Sequence, residues 1–389
     1  MKYNFDQVIG RKDTSSIKWD LHKDTIPLWV ADMDFRVSDD IVRIIEERIK
    51  HPIFGYTEAS PELYNAYIDF YKDRYGLSIR RDDMLFSLGV ISSIESIIRM
   101  YTNESDKIVL LTPIYQTFLR VIRNNNRVVK EVPLNYIDYK YSINFELLEE
   151  ALSDPKSKIL LLSNPHNPTG NLWTKDELEK MASLCLKHNV LLISDEIHCD
   201  IVKPGLKYTP AYSLNEKYHN IIVMLISPSK TFNVAGIRTS MIVVKNEELR
   251  KRISRQINNE NVSDGTIFSY LVPIATYRDS RDWLDQVLDY IFKNKEYLYE
   301  YIEENIPDVK AIYGDATYLV WVDVSNVTKD ADKLTSYLIN KAKVFVSSGT
   351  SYGEVGMTFI RINVATPLSI LKEGLERLKE GINEYKKIS

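Results

Sequence analysis

Between residues 84 and 227 the chain repeats one pattern: a short, nearly all-apolar run, often followed by a stretch with helical spacing. The apolar runs are MLFSL (84–88), KIVLL (107–111), RVVKEVP (127–133), KILLLS (158–163), VLLISD (190–195) and IIVMLIS (221–227). Each has the length of a strand, and most lack the polar–apolar alternation of a half-exposed sheet, so both faces must be covered. Between several of them lie VISSIESIIRMY (90–101), YQTFLRVIRNN (115–125), FELLEEALS (145–153) and TKDELEKMASLCLKH (174–188), all with helical spacing. Strands this apolar, separated by helices, predict an α/β fold with a mostly parallel sheet covered by helices on both faces.

The flanks read differently. The first 37 residues are irregular or extended, with an apolar patch at IPLWVADMDF (26–35). Ser38 is placed to cap a helix over 39–51, and Ser60 to cap a second with Pro61 at its first position and Gly76 as its stop. Beyond about residue 245 polar helices dominate, the clearest being 281–305, charged on one side and aromatic on the other. YLVWVDV (318–324), VFVSSG (344–349) and FIRINV (359–364) predict a second, smaller sheet, closed by a helix starting at Leu368. The expected division is a large domain over 46–280 and a smaller α+β domain built from 1–45 and 281–389.

Composition narrows the class of function. A hydrophobic share of 44%, a charged share of 27% and a net charge of −4 describe an ordinary soluble protein with no global pull toward nucleic acid or membrane. The two cysteines, Cys185 and Cys199, make no disulfide framework. The start has no apolar core of signal-peptide length, and no run reaches the roughly 18–20 residues of a membrane span. A cytoplasmic protein is expected.

In an open α/β sheet ligands bind outside the carboxyl ends of the strands, so residues just past each predicted strand are the candidates. The last run leads into SPSKTFNVAGIR (227–238), where Pro228 stops the strand and Lys230 falls on a tight loop. A partly desolvated lysine there loses its proton near neutrality and can form a Schiff base with an aldehyde. The ordinary alternative is a solvated loop lysine, against which stand the serines flanking Pro228 and the nearby Arg238. Gly89, between a strand and a helix, turns that helix's first N–H groups outward as an anion site. Tyr115 opens the helix after Pro113, placed to stack on a planar ligand or equally to pack as core. SNPHNPTG (163–170) is a rigid double turn that either aims the amides of Asn164 and Asn167 or serves structure alone. Asp195, in SDEIHCD (194–200), is costly to bury without a cation such as a protonated ring nitrogen. Metal binding by Asp195, Glu196 and His198 is the competing reading; no HExxH or CxxC spacing accompanies them, and no metal is expected. Arg238 and Arg361 can each grip a phosphate or carboxylate bidentately, and Arg361 lies within an apolar strand where an unpaired charge is penalised.

In this order, NPHNPTG, DEIHCD, SPSKTFNVAGIR and FIRIN resemble the fold-type I pyridoxal-phosphate enzymes, the aminotransferase class I/II superfamily, over nearly the whole chain. KWD (18–20), WVADMDF (29–35), GYT (55–57) and SPSKTFN narrow the likeness to the MalY/PatB-type carbon–sulfur β-lyases, including cystathionine β-lyases. The resemblance implies an aspartate-aminotransferase-like fold and pyridoxal 5'-phosphate as cofactor. It implies that Lys230 holds the cofactor through its amine and is catalytic together with Tyr115, whose ring stacks on the cofactor. Asp195 would pair with the ring nitrogen, and Asn167 would donate to the ring's phenolate oxygen with His198 nearby. Amides around Gly89, Val90 and Ile91, with Ser227, Ser229 and Arg238, would hold the phosphate. Tyr56 would reach the phosphate in a neighbouring subunit, which implies a homodimer. Arg361, with Asn167, would bind the substrate α-carboxylate, while Trp29, Ala31 and Asp32 would line the entrance. The reaction implied is β-elimination from cystathionine or another S-substituted cysteine, giving a thiol, pyruvate and ammonia. An aminotransferase acting on an amino acid and a keto acid is the alternative. A third reading, a binding or regulatory protein without turnover, leaves the full set of cofactor-holding residues unused.

Overall fold

A computed structural model describes residues 2–388. The main sheet has seven strands: β1 Met84–Ser87, β2 Lys107–Thr112, β3 Val128–Pro133, β4 Ser157–Ser163, β5 Leu191–Asp195, β6 Ile222–Ile226 and β7 Ser240–Val243, in the spatial order β1-β7-β6-β5-β4-β2-β3. From β6 across to β3 every pairing is parallel; β7 alone runs antiparallel to both its neighbours. The sequence reading contained six of these strands and not β7. Its four residues, SMIV, follow the Lys230 loop without a turn signal, and what makes them a strand is the gap between β1 and β6 that they fill, fully buried.

Alternate residues of the central strands enter two separate cores. Leu160, Leu162, Leu192 and Met224 belong to one, and Ile159, Leu161, Leu191, Ile193 and Val223 to the other. A period-2 strand can be apolar at every position only when both faces meet such a core. The covering helices include α1 Asp39–Ile49, α2 Pro61–Tyr75, α3 Val90–Tyr101, α4 Gln116–Asn124, α5 Phe145–Ser153, α6 Lys175–Lys187, α7 Glu247–Asn259 and α8 Ile267–Ile274. Their ends follow local rules. Thr174 and Glu177 form a reciprocal capping box on α6, and Gly76, at φ 66°, ends α2 in the left-handed conformation that glycine adopts without strain.

The later part of the chain contributes α9 Arg281–Asn305, α10 Ala331–Tyr337 and α11 Leu368–Tyr385, with a second sheet of β8 Lys310–Ala311, β9 Leu319–Asp323, β10 Ser347–Ser348 and β11 Phe359–Asn363, ordered β8-β9-β11-β10. The single run expected over 344–349 is divided. Ser347–Ser348 joins β11, whereas Val344–Phe345 pairs in parallel with Ile26–Pro27 of the N-terminal segment. Among the described residues no helix is long and apolar enough to cross a membrane.

The topology fixes where a ligand can bind. The chain leaves β2 toward β3 on one side and leaves β4 toward β5 on the other, so a crevice opens beyond the carboxyl ends of β2 and β4.

Candidate active site

Loops from that edge of the sheet enclose one cavity of ≈ 230 Å³, and most of the candidates from the sequence meet in it. Gly89, Val90 and Ile91 arrive from the end of β1, Tyr115 from β2 and Asn167 from β4. Asp195 and His198 arrive from β5, Ser229 and Lys230 from β6, and Arg238 from the approach to β7. Ala31 closes it from the N-terminal segment.

Lys230 follows the buried strand β6 through Ser227–Pro228–Ser229, and its Nζ donates to the Ala31 carbonyl at 2.6 Å. Burial pulls its pKa down to about 8, with Arg361 adding to the effect and Asp32 and Asp195 opposing it. Asp195 is buried at the end of β5, where it accepts one hydrogen bond from the Ile197 N–H at 3.1 Å. Burial raises its carboxyl to about 7, a level that a cation in the cavity would bring down again. His198 is driven the other way, to about 3, by burial and by the positive charges of Lys230 and Arg361, so the imidazole is neutral. Its Nδ1 is buried with no hydrogen-bond partner among the described residues.

One end of the cavity is formed by the start of α3. Gly89 turns the chain from β1 into α3 at φ 146°, a conformation that side chains other than glycine rarely adopt. No side chain caps α3, and Val90, Ile91 and Ser92 of its first turn line the cavity. The first N–H groups of a helix are unpaired within it and carry its positive dipole end. Arg238 reaches the same wall from φ 55°, a left-handed position that costs a non-glycine residue about 1–3 kcal/mol. Beside it Thr239 keeps a buried Oγ1 without a partner among the described residues. Ser227 lies behind this wall: its hydroxyl donates to the Thr239 carbonyl at 2.6 Å and accepts from the Ser229 N–H at 3.2 Å, shaping the turn.

Behind Asn167, and outside the lining of the cavity itself, Arg361 projects from β11. It is buried and, among the described residues, has no carboxylate within ion-pair distance. Its guanidinium donates to Asn167 Oδ1 at 3.1 Å and to the Trp29 carbonyl at 2.9 Å, lies over the Tyr352 ring at 5.0 Å, and leaves Nε unpaired. A buried cation held only by neutral groups keeps an uncompensated charge. Trp29 stacks on Phe345 at 4.6 Å behind this arginine, and neither it nor Asp32 lines the cavity itself. Tyr56 is fully exposed and outside the lining of this cavity, in a stretch where Ile53 and Phe54 are also exposed.

The sequence reading assigned no physical role to the residues that hold the 29–35 segment over the lysine. Asp34 is buried, and its carboxyl is held below its ordinary range; burial opposes this, and Lys18 at 2.7 Å, Trp19 Nε1 at 2.8 Å and Arg11 at 2.7 Å overcome it. Asp32 is bound by Arg11 at 2.8 Å. Asn233, three residues past Lys230, accepts from the Met33 N–H and donates to the carbonyls of Met33 and Phe35. Asn363, two past Arg361, donates at 2.7 Å to the carbonyls of both Val30 and Asp32. KWD, WVADMDF, SPSKTFN and FIRIN are thus one strapped assembly. No local pattern signals the bonds from Asn233 and Asn363, because their partners lie some 200 to 330 residues away.

The aminotransferase class I and II family matches residues 23–378. Cystathionine beta-lyase PatB of Bacillus subtilis is 35% identical, with 98% of this chain and 100% of the relative aligned. Protein MalY of Escherichia coli is 30% identical, with coverages of 98% and 99%. The crystal structure of cystalysin from Treponema denticola, which contains a pyridoxal 5'-phosphate cofactor, superposes with a TM-score of 0.96 at 33% identity, covering 99% of this chain and all of that one. With its fold, its strand-end cavity and this span of similarity, the chain belongs to the aminotransferase class I and II family, on the branch represented by PatB and MalY.

Proposed function

We propose that this protein is a pyridoxal-phosphate-dependent carbon–sulfur β-lyase that converts L-cystathionine or a related S-substituted cysteine to a thiol, pyruvate and ammonia. The observation that carries the reading is the combination, in one cavity, of a lysine lowered to about 8, a buried aspartate raised to about 7 and an uncapped helix N-terminus. Those three groups fit the three functions of pyridoxal phosphate: an aldehyde, a basic ring nitrogen and a phosphate. The unpaired Thr239 Oγ1 and His198 Nδ1 are further buried polar atoms that such a ligand would satisfy.

When bound, this cofactor withdraws electrons from the α-carbon of an attached amino acid, which makes the α-proton removable and a β-thiolate expellable. The chain supplies the rest. Lys230 would hold the cofactor, and its neutral amine would take the α-proton; a pKa lowered to about 8 leaves roughly a tenth of it in that form at pH 7, far more than for an ordinary lysine. Asp195 supplies the negative charge that keeps a ring nitrogen protonated. Arg361 receives the α-carboxylate, aligned by Asn167, and Tyr115 provides a planar wall. The amides of α3, with Ser229 and Arg238, take the phosphate. The exposed Tyr56, with Ile53 and Phe54 beside it, serves a second subunit's site in a homodimer, and the enzyme works in the cytoplasm.

The test is incubation of the reconstituted protein with L-cystathionine and no keto acid. Pyruvate and free thiol are expected, and Lys230→Ala should abolish both together with the visible absorbance of lysine-bound cofactor. Turnover that requires an added keto acid and yields a new amino acid would replace the lyase by an aminotransferase.

A further inference from the structure

The Ala31 carbonyl accepts two hydrogen bonds: one from Lys230 Nζ at 2.6 Å and one from the Tyr318 hydroxyl at 3.0 Å. Tyr318 is completely buried, its ring meets His198 edge-on at 6.0 Å, and nothing in the reading of Lys230 as the lyase's base, on which this inference rests, uses it.

The arrangement has a mechanical consequence. To hold a cofactor, or to take a proton from a substrate, Lys230 must leave the Ala31 carbonyl, and a buried carbonyl deprived of its donor is costly. The peptide cannot turn away to find another, because Asn363 clamps the carbonyls on either side, at Val30 and Asp32. Tyr318 is the donor that stays. Its own placement is imposed from behind. Thr317 sits at φ 61°, an outlier for a β-branched residue, and this kink precedes β9. The buried ammonium of Lys295, on α9, donates to the carbonyls of Gly314, Ala316 and Thr317 and so pins the kinked stretch.

We propose that Tyr318 is a positioning residue for Lys230: its hydroxyl keeps the Ala31 carbonyl satisfied whether or not the lysine is bound there, and so frees the amine to move to the substrate. A carbonyl already engaged by a hydroxyl is also a weaker acceptor for an ammonium ion, so Tyr318 favours the neutral amine. The other charged and titratable groups facing Lys230 are Asp32, Asp195, His198 and Arg361, and Tyr318→Phe substitutes none of them.

The test uses cofactor-stripped protein, so that it reads the lysine and not turnover. Trace acylation of Lys230 as a function of pH, quantified by mass spectrometry, gives the titration midpoint of its amine. In Tyr318→Phe the midpoint should rise by roughly one unit. In the reconstituted enzyme kcat should fall roughly 10-fold with KM for L-cystathionine within about twofold. A midpoint unchanged in folded Tyr318→Phe overturns the proposal. Should that variant not fold, Lys295→Met, which unpins the kink, is expected to shift the midpoint in the same direction, and an unchanged midpoint there overturns it equally. A wild-type enzyme that releases no pyruvate from cystathionine would remove the lyase reading while leaving the labelling result to stand on its own.

Discussion

Asp195 and Lys230 are pushed toward each other's titration range by one cause, burial at the end of adjacent parallel strands. The consequence for stability has a definite sign. In cofactor-stripped protein the folded Asp195 titrates near 7, against 3.8 in its ordinary state. Between those values the folded chain keeps a proton that the unfolded chain has lost. The stability this confers is complete at low pH and drains away as pH rises through about 7. Glu196, buried and raised to about 8, acts in the same direction. Asp195→Asn should therefore flatten the fall in stability from about pH 4 to pH 7 by about 4 kcal/mol or less, measured by urea unfolding. A fall as steep as the wild type's would show that the carboxyl is not desolvated as described.

At the scale of elements, the junction of β1 with α3 bears most on cofactor binding. A Cβ on Gly89 would meet only Ser92 Oγ, at 3.7 Å, so space does not demand a glycine there; the backbone angle of φ 146° does. Gly89→Ala should cost about 1–3 kcal/mol of stability, because the junction must either strain or move. If it moves, the N–H groups of Val90 and Ile91 turn from the cavity, and affinity for the phosphate-bearing cofactor falls with it. Thermal unfolding and a cofactor titration measure the two effects. Unchanged values for both would mean that α3 does not hold the phosphate.

For the whole molecule the question is whether one chain completes a site. Tyr56 stands fully exposed and away from its own chain's cavity, so its proposed role requires a second copy. Lys230→Ala and Tyr56→Phe should each be impaired alone, the first completely. Mixed and allowed to exchange subunits, they should regain activity above that of Tyr56→Phe, since a hybrid holds one site with both native residues. Mixtures that match the weighted average of the parents would place Tyr56 in no shared site.

The parts legible in the sequence were those governed by near neighbours. Apolar runs of strand length set the parallel sheet, and Pro61 with Gly76 on α2 and Thr174 on α6 mark helix ends, since a cap or a period is decided within a few residues; Ser38 and Ser60 stand at their N-cap positions without a side-chain capping bond. The strand-end position of Lys230, Asp195, Asn167, Tyr115 and Gly89 followed from the same rules, because a doubly wound sheet sends all such loops to one edge. What only the tertiary structure decided was the state of those groups and what holds them. Whether SMIV is a strand depended on the gap between β1 and β6. Whether Ser227 faces a ligand or a backbone carbonyl depended on the fold of the turn around it. The bonds of Asn233 and Asn363 to the 29–35 segment, and the shared carbonyl of Ala31, join segments remote in sequence. Desolvation and long-range hydrogen bonds belong to the packed chain, and no spacing of residues along it encodes them.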